Sequence, residues 1–404
     1  MNTVIFRSSS VFTHDRTQYA AYYDATGRLV LAKRSLDSTQ WQSRVTPYVG
    51  KVADAHDAIS IAVDGAGVLH VAWDEHGKPL RYARAVRPGS LELGPIRPIT
   101  GKREERVTYP QFYRLRNGDL LFLYRDGASG AGDVLLDRYD VRRGTWRVVA
   151  HPLIDGEGER NAYVNSLAID DRGGWHLSWC WRETPDVATN HDVVYAYSPD
   201  EGGHWKRSTG ENYTLPITAR TGEIARRVSR GMELINQTSM TVSPARRPII
   251  ATYWREDGSD VPQLRLVWND GDAWRTTTVA NRTSAFRLSG GGTKRIPLSR
   301  PLVLAGVCGE LYVVFRDEER GGGISLAISS DSARSVWRVE TLYAPSVGQW
   351  EPTYDPALWQ ASHRLHLFVQ RVGQGDGETM EDVAPQTVSI LEWSPPAVRC
   401  AASR

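Results

Sequence analysis

Apolar and polar residues alternate with a period of two in short runs along the chain, and no segment sustains a helical period. Ile59, Ile61 and Val63 alternate, and Asp64-Gly65-Ala66-Gly67 supplies turn chemistry with glycine available for positive φ. Val68 to Trp73 is a second apolar run, and Leu80-Arg81-Tyr82-Ala83 begins a third. Antiparallel pairing sets the start of the first run beside the end of the second. His56 leads into the first run and His76 leaves the second, so the two imidazoles are expected at one rim of a small sheet.

The same unit returns at roughly fifty-residue spacing, the range of propeller blades. The copies are Gly27 to Ala32, Gly67 to Trp73, Gly118 to Arg125, Gly174 to Arg182, Pro248 to Arg255, Gly309 to Arg316 and His363 to Arg371. They predict an all-β, seven-bladed β-propeller of four-stranded antiparallel blades, with residues 1–404 as one domain. Turns support this. Ser198 to Trp205 has the form S-x-D-x-G-x-x-W, and Ser330 to Trp337 is a degraded copy. The aspartate is expected to cap backbone donors and the tryptophan to pack between sheets. Trp41, Trp146 and Trp274 end similar turns. Segment 222–233 reads as one or two helical turns, and Ser289 to Thr293 as a glycine-rich loop.

A chain that is 41% hydrophobic and 24% charged has the apolar mass for a large core. A net charge of +2 argues against a dedicated nucleic-acid binder and leaves room for a local basic groove that takes a polyanion. Fourteen Trp and seventeen Tyr against seven Phe suit half-buried strands and sugar-stacking platforms. Cys180, Cys308 and Cys400, an odd and sparse set, predict no disulfide framework. No apolar run has the length of a membrane span, so no membrane partner is expected, and the chain is expected to be a monomer. Met1 to Arg7 lack the apolar region of a secretion signal. The expectation is a cytoplasmic protein, or a secreted or periplasmic one whose leader has been removed.

Propellers carry function on one rim, in loops from several blades. In the third unit Thr108-Tyr109-Pro110 and Arg125 occupy the places of His56 and His76. The fourth offers Asn161 to Asn165 and Arg182, and the fifth Asn236-Gln237-Thr238 and Arg255. The sixth offers Ser299-Arg300-Pro301 and Arg316, and the seventh Trp350 to Tyr354 and Arg371. This rim collects His, Tyr and Arg, with Glu351 and Glu183 as isolated carboxylates. A glycosidase normally needs two carboxylates. No nucleophile elbow, Walker motif or dinucleotide fingerprint is present. The inventory suits proton abstraction beside a carboxylate. Arginine neutralises the carboxylate, a histidine or tyrosine takes the proton, and another protonates the leaving oxygen. That is β-elimination of a uronic-acid polysaccharide. About half of the arginines that follow the strands are expected to be structural.

His56-Asp57, the Asp64-Gly65 turn, Leu69-His70-Val71, His76-Gly77 and Leu80-Arg81-Tyr82 resemble the signature of the BNR-4 repeat family. Within it the likeness is to seven-bladed ulvan lyases and related glucuronate-glycan lyases. Thr108-Tyr109-Pro110, Tyr124 to Gly127, His176 to Trp179, Trp181-Arg182, Asn212 to Ile217 and Ser299-Arg300-Pro301 extend it. The resemblance implies a polysaccharide lyase acting on an ulvan-like, rhamnose–glucuronate glycan, with an anionic poly- or oligosaccharide as its partner. It implies a catalytic cluster of His56, His76, Tyr109 and Arg125. Tyr109 would donate to the leaving oxygen, and also act as base where both protons lie on one sugar face. His56 would be the main base and His76 would support it or bind substrate. Tyr163 matches a further active-site tyrosine, and Asn165, Arg182, Gln237, Arg255 and Arg300 complete the expected binding set. Catalysis is expected to need no cofactor. Some family members carry a structural metal, zinc or calcium, for which His176, Cys180, His191 and His204 are candidate ligands; the competing reading is a packed cysteine beside solvent histidines. An exo-acting α-L-rhamnosidase-type hydrolase and a non-catalytic glycan-binding propeller stay open on the same scaffold.

Overall fold

The computed structural model describes residues 9–377, 379, 381, 383–396 and 400; Met1 to Arg7, read above for a leader, lie outside the described residues. Strands follow one another in seven antiparallel groups. The first holds β1 (Val11–His14), β2 (Thr17–Tyr23), β3 (Arg28–Ser35) and β4 (Gln42–Val49). Next come β5 (Ser60–Val63), β6 (Leu69–Ala72), β7 (His76–Lys78) and β8 (Tyr82–Arg84). The third has β9 (Val107–Arg114), β10 (Leu120–Ala128), β11 (Ala131–Asp140) and β12 (Thr145–Ile154). The fourth has β13 (Asn161–Ile169), β14 (Trp175–Arg182), β15 (Asn190–Ser198) and β16 (Glu223–Arg226). The fifth has β17 (Ser239–Val242), β18 (Pro248–Trp254), β19 (Gln263–Asn269) and β20 (Trp274–Ala280). The sixth has β21 (Leu302–Ala305), β22 (Leu311–Arg316), β23 (Ile324–Ser329) and β24 (Arg338–Tyr343). The seventh holds the short helix α1 (Pro356–Ser362), β25 (Leu365–Val369) and β26 (Ser389–Trp393), with Tyr354 bridged to Leu367. The fold is the all-β, seven-bladed β-propeller that the repeat predicts.

Two blades depart from four strands. The second keeps β5, β6 and β8 in one sheet and sends β7 to pair with β9. The seventh has β25 and β26 as its named strands among the described residues. The Gly27 copy of the repeat is β3, the third strand of its sheet, whereas the Gly67, Gly118 and Gly174 copies are second strands. The true counterpart, β2, follows Asp15-Arg16 without a glycine, so the pattern locked onto the next turn.

The described residues fall into two compact units. One spans segments 1–128, 134–152 and 348–395, and the other 129–133, 153–347 and 396–404. In the first, Trp73, Tyr82, Phe112, Phe122 and Tyr124 sit in one buried cluster. In the second, Ile249, Tyr253, Leu266 and Phe315 do the same. Turn aspartates organise the strands. Asp64 Oδ1 accepts from the N–H groups of Ala66 and Val68, while its Oδ2 lies 3.1 Å from Nε2 of His70, whose Nδ1 is 2.7 Å from the Tyr82 hydroxyl. Asp170, His176 and Tyr195 repeat this arrangement. In the Ser198–Trp205 turn, Asp200 accepts from His204 N–H at 2.7 Å and Trp205 is buried, as expected of this motif.

Two expectations are corrected. Segment 222–233 is not helical: Glu223–Arg226 is β16, paired with β15. Its Ile-Ala core between turns is too short for a helical face and completes a ladder instead. Cys308 and Cys400 form a disulfide, 92 residues apart in sequence, and Cys180 alone is free. Parity and sparseness do not exclude one bridge when the fold returns the chain end to an earlier loop.

Asp355 ties the first and seventh blades within one unit. Its buried carboxylate accepts from Thr13 N–H at 3.0 Å, Thr13 Oγ1 at 2.5 Å and Gln18 Nε2 at 2.9 Å, and caps α1 through Leu358 N–H at 3.0 Å. Asp355→Ala orphans these donors in a buried site. The expected loss of stability is about 3–5 kcal/mol, read from the urea midpoint.

Candidate active site

His76 and Tyr109 meet because β7 leaves its own sheet. His76 pairs with Thr108 and Lys78 with Val107, with a register shift at Gly77, whose φ of +62° suits glycine. Gly77 N–H donates to Thr108 Oγ1 at 2.8 Å, and Arg125 Nη2 donates to the same oxygen at 3.1 Å. Across the β9–β10 ladder, Leu123 faces Gln111 and Arg125 faces Thr108, so Tyr109 and Pro110 together oppose Tyr124. This is a β-bulge, and a proline without an N–H fits there. Tyr109 holds φ at +58°, a region that bulky residues avoid. The bulge turns its ring over Arg125, whose Cζ lies 5.0 Å from the ring centroid.

His56 lies in the loop before β5 rather than in the strand. Its ring stacks on His76 at 3.9 Å between centroids and 13° between planes, and lies 5.7 Å from the Tyr109 ring. The structure therefore brings His56, His76, Tyr109 and Arg125 together. His76 is the most open of the histidine pair, with 32% of its side chain exposed against 8% for His56.

Sequence reasoning missed Asp54. The rim was read as poor in carboxylates, yet Asp54 joins the two imidazoles: Oδ1 is 2.9 Å from His56 Nδ1, and Oδ2 is 2.7 Å from His76 Nδ1. Oδ1 also accepts from His56 N–H at 3.0 Å. The signal was an Asp two residues before the histidine, the spacing of an Asx-turn. Burial pushes the Asp54 carboxyl up, but hydrogen bonds from His56 and His76 outweigh it and hold it far below the usual carboxylate range. Among the described residues, Asp54, His56 and His76 also form the one group of three metal-capable side chains whose ligand atoms lie within 4.8 Å.

The four residues named for a metal do not gather. His176 is held by Asp170 and Tyr195, and His204 by Asp200 at 2.6 Å. His191 lies between Glu183 at 2.8 Å and Asp192 at 3.2 Å. Cys180 is buried, which pushes its thiol up to about 12. It stands four residues from His176 on one strand, about 13 Å along it, too far to share an ion.

In the second unit a separate polar cluster forms. Arg182 stacks on Tyr163 with Cζ 4.1 Å from the ring centroid and donates to its hydroxyl at 3.1 Å, to Asn190 Oδ1 at 2.7 Å and to Asn236 Oδ1 at 2.8 Å. Arg300 Nε donates to Asn236 O at 2.7 Å, and Gln237, at φ +55°, accepts from Asn236 Nδ2. Asn165 bonds Ser178 Oγ at 3.0 Å and Thr238 N–H at 3.3 Å. Arg255 does not join: it donates to Glu233 Oε2 at 2.5 Å and to the carbonyls of Gly231 and Ser259. Buried Arg316 binds the carbonyls of Ile296 and Pro297. These two arginines are structural clamps of their loops.

Behind the histidines, Asp57 and Asp74 share Lys78, whose Nζ is 2.9 Å from Asp57 Oδ2 and 3.1 Å from Asp74 Oδ1. Burial first, and then hydrogen bonding with Asp74, push the Asp57 carboxyl up to about 7 against the pull of Lys78. The folded state thus binds this proton more tightly than the unfolded chain, whose aspartate titrates near ~3.9. The contribution of Asp57 is fully present at low pH and declines as pH rises through about 7. Asp57→Asn, which cannot ionise, is expected to gain stability relative to the unsubstituted protein between about pH 5 and about pH 8. Urea denaturation at both pH values measures the difference, and a constant difference refutes the assignment.

Comparison with known proteins gives this chain a family and fold neighbours. Residues 17–282 match BNR_4, described as BNR repeat-containing family member. An ulvan lyase of Nonlabens ulvanivorans is 21% identical over 314 residues, covering 66% of this chain and 65% of that protein. The short isoform of the ulvan lyase of Alteromonas sp. (strain LOR) is 30% identical over 137 residues, or 30% of this chain and 25% of that protein. The chain thus spans less than two thirds of the length of these relatives. Two solved structures share the fold over 96% of the chain. Polysaccharide lyase Uly1 superposes with a TM-score of 0.71 at 15% identity, covering 89% of that chain. A PL25 ulvan lyase bound to -[GlcA(1-4)Rha3S]- gives 0.70 at 14% identity, covering 92%. With more than half of its length matched, the chain belongs to the BNR_4 family of BNR repeat-containing proteins.

Proposed function

We propose that this protein is a polysaccharide lyase that cleaves a glucuronate–rhamnose glycan of the ulvan type by β-elimination. The observation that carries the reading is the convergence of Tyr109, stacked over Arg125, with the paired rings of His56 and His76. Support comes from relatives and fold neighbours that are ulvan or polysaccharide lyases.

In this reading Arg125 neutralises the uronate carboxylate, which makes the C5 proton acidic enough to remove. Its anchor on Thr108 fixes the guanidinium. His56 takes the C5 proton. The C5–H electrons form the C4–C5 double bond as the C4–O bond breaks, and the Tyr109 hydroxyl protonates the departing oxygen. His76, the more exposed ring, supports His56 and binds substrate. A phenol is a weak acid at neutral pH, so Tyr109 suits a donor that starts protonated. The cluster around Arg182 and Tyr163 is proposed to bind further sugar residues, with Asn165, Gln237 and Arg300; Arg255 serves by holding its loop. No step of this reaction draws on a metal or organic cofactor.

Incubation with ulvan is the test. Elimination yields a double bond conjugated to a carboxylate, seen by ultraviolet absorbance. Reducing sugar without that absorbance indicates a hydrolase, and binding without either product indicates a lectin-like propeller. Arg125→Lys keeps the charge but loses the planar fork, and turnover is expected to fall by about 10²-fold or more in a folded protein. Tyr109→Phe removes only the hydroxyl, and kcat is expected to fall by about 10²–10⁴-fold with KM little changed. Wild-type kcat in Tyr109→Phe would exclude the phenol as proton donor.

A further inference from the structure

Resting on the lyase reading for its catalytic consequence, we infer that Asp54 is a positioning residue. It locks both His56 and His76 in the Nδ1–H tautomer and leaves both Nε2 atoms as proton acceptors.

The argument starts from donor counting. An ionised carboxylate accepts hydrogen bonds and cannot donate. Asp54 Oδ1 already accepts one unambiguous donor, the His56 backbone N–H at 3.0 Å. The same oxygen is 2.9 Å from His56 Nδ1, and Oδ2 is 2.7 Å from His76 Nδ1. With three donors converging on one buried carboxylate, each Nδ1 must carry a proton. A neutral imidazole has one N–H, so each Nε2 is left with its lone pair. The near-parallel stack at 3.9 Å sets the two rings side by side with both Nδ1 atoms on the carboxylate. Both Nε2 atoms therefore lie on the ring edges away from Asp54. A base needs that lone pair, so the tautomer decides whether either ring can take a proton.

The backbone contact makes the inference sharper, because it predicts which ring responds to substitution. In Asp54→Asn the amide oxygen must take the Oδ1 place, where the His56 N–H points. The amide NH₂ then takes the Oδ2 place and donates to His76. His76 Nδ1 has to accept, which moves its proton to Nε2, while His56 keeps Nδ1–H. One isosteric change thus flips one identified ring.

Histidine nitrogen NMR of the ¹⁵N-labelled protein reads this directly, with His56→Gln and His76→Gln assigning the signals. The wild-type protein is expected to show Nδ1–H for both rings, and Asp54→Asn to show Nε2–H for His76 alone. On ulvan, Asp54→Asn removes the carboxylate charge that strengthens His56 as a base and turns the substrate-binding His76 Nε2 from acceptor to donor, so kcat is expected to fall about 10-fold or more and KM to change with it. A wild-type Nε2–H tautomer at either ring overturns the inference without any variant, so misfolding of Asp54→Asn does not shield it. An unchanged His76 tautomer or an unchanged kcat in the folded variant overturns it as well. If removal of metal by EDTA changes the His56 and His76 nitrogen signals of the wild-type protein, the trio holds an ion and the hydrogen-bond assignment falls. A wild-type protein that forms no unsaturated product sinks the lyase reading instead, while the tautomer result stands by itself.

Discussion

The site depends on an exchange of strand partners. β7 is three residues long and pairs with β9 rather than with the sheet from which it emerges. A strand this short has little stability alone, so its position is set by the ladder it joins. Joining β9 sets His76 opposite Thr108, one residue from Tyr109. Thr108 then serves both sides, accepting from Gly77 on β7 and from Arg125 on β10. A histidine from one blade and a tyrosine and arginine from the next become one rigid cluster by backbone pairing.

Charge inside this cluster is balanced rather than absent. Asp54 is buried, and burial alone would neutralise it. Two imidazole N–H groups and a backbone N–H stabilise the ionised form instead. A few residues away the same physics gives the opposite result. Burial, and then hydrogen bonding with Asp74, push the Asp57 carboxyl up to about 7 against the pull of Lys78, while Asp74 is itself paired with Lys78 and Arg81. The proposed active rim therefore has one fixed anion behind the histidines, and behind that the Asp57 carboxyl, pushed up to about 7.

The repeat, the turn aspartates and the convergence of His56, His76, Tyr109 and Arg125 were legible because each leaves a periodic or motif-level trace. The β7 exchange was not. Its three residues read as the tail of a hairpin, and the partner strand lies thirty residues on in another copy. Asp54 escaped because attention to equivalent rim positions passes over a loop residue that acts through an Asx-turn. The metal candidates failed on strand geometry. His176 instead repeats the Asp64–His70–Tyr82 arrangement, which shows that a buried histidine in this fold has a structural use. Arg255 and Arg316 carry the same sequence signal as Arg125 and Arg182, and only their bonds to Glu233 and to loop carbonyls separate them.

Backbone strain gathers where the chemistry is proposed. Asp74, Gly77 and Tyr109 all hold positive φ within the stretch that forms the cluster, and the two non-glycine residues cost on the order of 1–3 kcal/mol each. Such conformations persist only where neighbours over-determine them. Here the neighbours are identifiable: the ladder from β7 to β9, the Lys78 bonds to Asp57 and Asp74, and the cation–π contact of Arg125 beneath Tyr109. Relaxing the bulge would return Tyr109 to the alternation of β9 and carry its ring away from His56. The strain is therefore the cost of holding a phenol and an imidazole from different blades side by side. In the proposed elimination, a proton taken at one ring and given at the other then needs no reorganisation of the backbone between the two steps.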